Sequence, residues 1–276
     1  MPLEPSSILM TDKVAVVTGA AQGIGKATAL ALARFGAHIA LCDRDEPGLR
    51  ATADEIRAMG RQAIPGVFDV RDGDAVRDHI DQVASAMGRI DALVNNAGGT
   101  FYADVLNISD NGQSSIIHEN FTSVTNFIRS VVPVMAVTGG SIVNVTSIEA
   151  LQAAPGFGIY AAMKAAVSSL TKTLALELAD RGIRVNSVAP DGIPTPGDAP
   201  LAEATQASMR FTAPPMTPLG YLADAEACAG PIVFLCSDMA AFLTGIAVSV
   251  DGGNSAAGGW HQKWDRVGES SGANPA

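Results

Sequence analysis

Only three cysteines occur in the 276 residues, Cys42, Cys228 and Cys236, an odd and scattered set. That excludes a disulfide framework and predicts a reducing, cytoplasmic setting. The four histidines lie far apart in sequence, so no metal-ligand spacing appears and no metal site is expected. Basic residues are few: 18 Lys and Arg stand against 28 Asp and Glu, a net charge of −10. Phosphate binding along a nucleic acid wants clustered cations, so no nucleic-acid partner is expected. No apolar run is long enough to span a bilayer, which argues against a membrane partner. The opening "MPLEPSSILMTD" has neither a basic n-region nor a long apolar core, so it does not read as a signal peptide. Without such a signal, the N-x-[ST] triplets at Asn107, Asn120 and Asn144 read as chance.

What is present is apolar. The chain is 47% hydrophobic and 17% charged, enough for a large core. Short apolar runs alternate with helical stretches. The runs are "KVAVVT" from residue 13, "AHIALC", "QAIPGVF", "DALVN", "GSIVNVTS", "IRVNSVA" and "GIAVSVD". Helical patterns fall over 23–36, 45–59, 72–87, 112–137, 158–180 and 222–236. This alternation predicts an α/β fold: one Rossmann-like, doubly wound domain of seven mainly parallel strands with helices on both faces. Residues 1–12 read as an N-terminal extension, 13–258 as the dinucleotide-binding domain and 259–276 as a tail.

The first strand runs into "TGAAQGIG", with glycines at 19, 23 and 25. A tight turn from strand to helix lets backbone approach a pyrophosphate at a helix N-terminus. Asp43 ends the second strand, where a carboxylate can accept hydrogen bonds from adenosine hydroxyls and repel a 2′-phosphate. The competing role for Asp43 is a cap on the next helix. Arg44 beside it is able to meet a phosphate, whereas Gln22 in the turn carries no charge. The balance favours NAD over NADP.

In "GIYAAMK", Tyr160 and Lys164 lie four residues apart, neighbours on one helix face. Together with "DV" at 69–70, "NNAG" at 95–98, Asn120, Ser147, "RVNSVAP" and "VDGG", the chain resembles the short-chain dehydrogenases/reductases over residues 12–253. The resemblance implies an NAD(H)-dependent enzyme interconverting a secondary alcohol and a ketone. It assigns Tyr160 as general acid/base, Lys164 as the group that lowers the tyrosine pKa and holds the cofactor ribose, Ser147 as donor to the substrate oxygen, and Asn120 as holder of a relay water. Two unit charges about 5 Å apart at an effective dielectric near 20 interact by about 3 kcal/mol, roughly two pKa units. The same resemblance puts Gly19, Gln22, Gly23, Ile24 and Gly25 around the cofactor phosphates, with Asp43 and Arg44 at the adenosine. Asp69 and Val70 would flank the adenine, Asn96, Ala97 and Gly98 the ribose side, and Ile193 and Thr195 the carboxamide.

The family usually has Pro-Gly after the sixth strand; here the chain reads "PDGIPTPG", with Asp191 in the glycine position. A solvent-facing turn residue is one reading. The other is a carboxylate near the cofactor ring that favours its oxidised, cationic form. The stretch 190–218 is expected to be a substrate lid with Met209, Phe211 and Met216 as its apolar cover. Glu149, Gln152 and Phe157 are expected to join Ser147 and Tyr160 in lining the substrate pocket. The helix from residue 158 is apolar around most of its circumference, which predicts a homotetramer or dimer. Two alternatives stand beside the alcohol dehydrogenase: an NADPH-using 3-oxoacyl carrier-protein reductase, and a cofactor-binding sensor without turnover.

Overall fold

A computed structural model describes residues 4–135, 139–191, 193–195, 217–258 and 260. Seven strands form one sheet in the order β3-β2-β1-β4-β5-β6-β7, and every pairing is parallel. They are β1 (Val14–Thr18), β2 (His38–Asp43), β3 (Ala63–Val67), β4 (Ala92–Asn95), β5 (Gly140–Val145), β6 (Ile183–Pro190) and β7 (Ala247–Val250).

Side chains alternate across a strand, so each strand feeds two cores. Ala15, Val17, Ile39, Leu41 and Val94 point to one face. There they meet α1 (Gly23–Arg34), α2 (Glu46–Ala58) and α7 (Glu226–Cys236). Val14, Val16, Ala40, Cys42 and Leu93 point to the other. That face is covered by α3 (Gly73–Met87), α5 (Ser123–Met135) and α6 (Gly158–Glu177). Burial on both faces explains why the central strands read as continuous apolar runs. All three cysteines are buried and free. Burial raises the thiol pKa of Cys228 and Cys236 to about 12, which makes them inert hydrophobes.

The long helix expected over 112–137 is differently built. Its first part, α4 (Asp110–Ile117), starts earlier because Ser109 caps it, accepting from Gly112 N at 3.1 Å. A π turn, His118–Thr122, then separates α4 from α5. Such a one-residue insertion is invisible to a 3.6-residue pattern. Helix α6 stops at Glu177, with a 3-10 turn over Ala179–Arg181 before left-handed Gly182. The last long helix begins at Glu226, not 222. The N-terminal segment is tied in: Met10 is buried in the first core, and its N–H donates to Phe35 O at 2.7 Å. Met209, Phe211, Met216 and nearly all of the expected lid lie outside the described residues.

Candidate active site

The C-terminal ends of the strands open on one elongated cavity of about 790 Å³. It runs from Asp43, Arg44 and Asp69, past Gly19, Gln22, Gly23 and Ile24, to Ser147, Tyr160 and Asp191. Such a crevice beyond the carboxyl ends of parallel strands is where doubly wound sheets bind ligands.

The glycine turn comes first. Gly19 (φ +67°) and Gly23 (φ +57°) occupy the left-handed region that side chains avoid. Gln22 precedes α1 without a side-chain cap, so the first N–H groups of α1 are left for a ligand at the cavity. A pyrophosphate suits this cradle. Gly25 is set back from the cavity-lining residues; a Cβ there would stand 2.0 Å from Gly19 O, so its bareness lets α1 close onto the turn. Asn96 braces the same turn, donating to Thr18 O at 2.9 Å and Gly19 O at 3.3 Å. Thr18 Oγ1 accepts from both Asn96 N and Ala97 N at 2.9 Å. Ile193 and Thr195 line the cavity, with Thr195 Cβ 3.2 Å from where a Gly23 Cβ would be.

Asp43 does not cap α2. Asp45 does, accepting from Gly48 N at 3.3 Å. Asp43 spans two backbones instead: Oδ2 accepts from Ala21 N and Oδ1 from Asp45 N, each at 3.0 Å. Its carboxylate is fixed at the cavity edge beside Arg44. Asp69 is held by Arg71, which lowers its pKa mainly through their hydrogen bonds. Arg71 also donates to Ser115 Oγ at 3.0 Å, tying the β3–α3 loop to α4. Phe68, Arg71, Phe101 and Glu119 line the cavity too. Sequence reading missed them, although Phe68 and Arg71 flank the "DV" pair. Val70 lines the cavity and is nearly buried, and Ala97 and Gly98 join it.

At the far end, Lys164 is buried and donates to Val145 O at 3.0 Å. Its Nζ stands 5.4 Å from the centroid of the Tyr160 ring. Burial pushes the ammonium pKa down to about 8, opposed first by Glu119 and then by Glu149. Ser147 Oγ accepts from Glu149 N at 3.2 Å, an arrangement that leaves the hydroxyl hydrogen for a substrate oxygen. Asn120 is 1% exposed, and its Nδ2 donates to Gly99 O at 2.8 Å and Ile116 O at 2.9 Å. Its buried Oδ1 meets no protein donor. A buried carbonyl oxygen of this kind wants a water.

Glu149 and Phe157 line the cavity; Gln152 is exposed and does not. Phe157 packs edge-on against Tyr102 with centroids 5.7 Å apart. Asp191 lines the cavity and is half-buried, so it is not a plain solvent-facing turn residue. Asn254 Nδ2 donates to its Oδ2 at 2.7 Å. Asn254 opens α8 (Asn254–Ala257), which follows the "VDGG" stretch. Burial raises the Glu149 pKa, and the like charge of Asp191 raises it further, against Lys164. Among the described residues, no cluster of His, Cys, Asp and Glu is able to hold a metal ion.

A family model described as Enoyl-(Acyl carrier protein) reductase matches residues 19–255. The 3-oxoacyl-[acyl-carrier-protein] reductase FabG of Thermotoga maritima is 40% identical over 245 residues, 88% of this chain and 98% of that protein. This chain is a short-chain dehydrogenase/reductase. Solved members superpose closely. A short-chain type dehydrogenase/reductase from Mycobacterium marinum gives a TM-score of 0.83 at 34% identity, covering 90% of this chain and 98% of that one. Carveol dehydrogenase from Mycobacterium avium, in complex with NAD, gives 0.83 at 30% identity, covering 88% and 98%. The chain is therefore an oxidoreductase acting on CH–OH groups.

Proposed function

We propose that this enzyme uses NAD(H) to interconvert a secondary alcohol and a ketone. One observation carries the reading: Ser147, Tyr160 and Lys164 meet at one end of a cavity whose other end holds Asp43. The nicotinamide would supply or accept the hydride. Tyr160 exchanges the proton with the substrate oxygen, and Ser147 donates to the same oxygen as charge develops there. Lys164 stabilises the tyrosinate from one helical turn away. Asp43 supports NAD, because its fixed carboxylate would repel a 2′-phosphate.

The carrier-protein reductase is the second reading, favoured by the name of the Thermotoga relative. Asp43 stands against the NADPH preference of that class, and the net charge of −10 stands against docking an acidic carrier. Assembly into a homodimer or homotetramer is supported by α6. Lys164, Val167, Thr171 and Ala175 make one buried stripe, while Leu176 is 80% exposed. No helix among the described residues is long and apolar enough to cross a membrane.

The test is a screen of secondary alcohols and ketones with both nicotinamide cofactors, followed at the NADH absorption band. Faster turnover with NAD than NADP on a simple alcohol is expected. Turnover confined to NADPH and acyl thioesters would favour the second reading. Tight NAD binding with no turnover on any substrate would leave a sensor.

A further inference from the structure

The π turn presents two consecutive side chains to the site. Asn120 is one; Glu119, half-buried at the cavity wall, is the other. Two glycines make room for them. A Cβ on Gly98 would lie 2.7 Å from Asn120 Oδ1 and 3.1 Å from Lys164 Nζ, so both atoms face one small gap. A Cβ on Gly99 would lie 3.3 Å from Glu119 Oε1. The Glu119 carboxylate thus stands against Gly99, the residue after the glycine that borders the gap shared by Lys164 and the unpartnered Asn120 oxygen.

We propose that Glu119 is a positioning residue, the counter-charge that keeps the buried Lys164 cationic so that Lys164 can act on Tyr160. A lysine enclosed by protein tends to lose its proton, and a neutral amine would no longer stabilise a tyrosinate. The groups around Lys164 come from every neighbouring element. Tyr160 lies on its own helix and the Val145 carbonyl at the end of β5. Glu119 sits on the π turn and Glu149 on the 3-10 turn after β5. Asp191 stands beyond Glu149 and opposes its ionisation. Arg71 stands beyond Glu119 and is itself favoured by that carboxylate. Of the two acids near Lys164, Glu149 is held back by the like charge of Asp191. Glu119 is the stronger charge acting on Lys164.

This inference rests on the oxidoreductase reading for its purpose, but its first measurement needs no turnover. The Lys164 Nζ titration is followed by NMR in the cofactor-free full-length protein, in wild type, Glu119→Gln, Glu119→Asp and Glu149→Gln. The Lys164 midpoint is expected to fall by on the order of one pH unit in Glu119→Gln. A smaller fall is expected in Glu149→Gln and a value near wild type in Glu119→Asp. In turnover, the rising limb of kcat/KM for alcohol oxidation should move to higher pH in Glu119→Gln and return in Glu119→Asp. A Lys164 midpoint in Glu119→Gln that matches wild type, or that moves no further than in Glu149→Gln, overturns the proposal. Failure of every alcohol and ketone to react would overturn the function reading alone.

Discussion

Asn95 on β4 and Asn144 on β5 face each other inside the sheet, Asn95 Nδ2 donating to Asn144 Oδ1 at 2.9 Å. The chain continues: Asn144 Nδ2 donates to Thr171 Oγ1 at 2.9 Å, and Thr171 donates to Val167 O at 2.8 Å. All three polar side chains are buried. The relay pins α6, which carries Tyr160 and Lys164, to the strands that frame the cavity. Asn144→Ala should cost about 2–3 kcal/mol, because Asn95 loses its acceptor in a dry core. Thermal unfolding should fall by several degrees; an unchanged midpoint would show that the relay contributes nothing.

Tyr160→Phe removes the proton donor and keeps the ring beside Lys164. Loss of general acid/base catalysis should lower kcat by about 10²- to 10⁴-fold. NAD affinity, read by fluorescence titration, should stay within a few fold. A near-normal kcat in this variant is incompatible with the proposed mechanism.

Asp43→Ser should weaken NAD binding and narrow the gap between NAD and NADP. Since Asp43 also accepts from Ala21 N and Asp45 N, some stability goes with it, about 1–3 kcal/mol. Paired titrations with the two cofactors separate the effects. If the NAD-to-NADP affinity ratio does not move, the carboxylate is a brace for the turn and not a selector.

Asp191→Gly restores the residue usual in the family. The Asp191 carboxylate, held by Asn254 at the cavity wall, should favour the cationic oxidised cofactor. The variant should bind NAD⁺ several-fold more weakly relative to NADH. Equal changes in the two dissociation constants would remove Asp191 from any role in setting that balance.

His79 is buried against β3 with neither ring nitrogen bonded, and burial holds its pKa down from 6.5 to about 4. The unfolded chain takes up a proton near pH 6.5 and the folded one resists until about pH 4. Stability is therefore full above pH 6.5 and is lost as pH falls, by up to about 3 kcal/mol. His79→Leu should flatten the dependence and be the more stable protein near pH 5. Denaturant curves at several pH values check this; parallel losses in both proteins would point to other groups.

The strands, the glycine turn and the Tyr160–Lys164 pair are legible because each has a local pattern: a short continuous apolar run, a strand–glycine–helix sequence, a four-residue spacing. The π turn is not, because one inserted residue leaves the apolar pattern of a helix nearly intact. With it went Glu119, whose role depends on two glycines twenty residues away. Sequence marks a glycine turn without telling which residues brace it: Asn96 both lines the cavity and braces the turn, and Gly25 leaves room for Gly19 O. The polar relay through Asn144 was also hidden, since a buried asparagine in an apolar strand has no partner visible in one dimension.

The strand order has a consequence for how the chain is laid down. β2 adds to one side of β1 and β3 adds outside it; β4, β5, β6 and β7 then add in turn on the opposite side. No strand is ever threaded between two that are already paired. A ribosome releasing this chain from its N-terminus can therefore extend the sheet at a free edge with each new strand. The strand that leads into the cofactor turn is the seed of that growth.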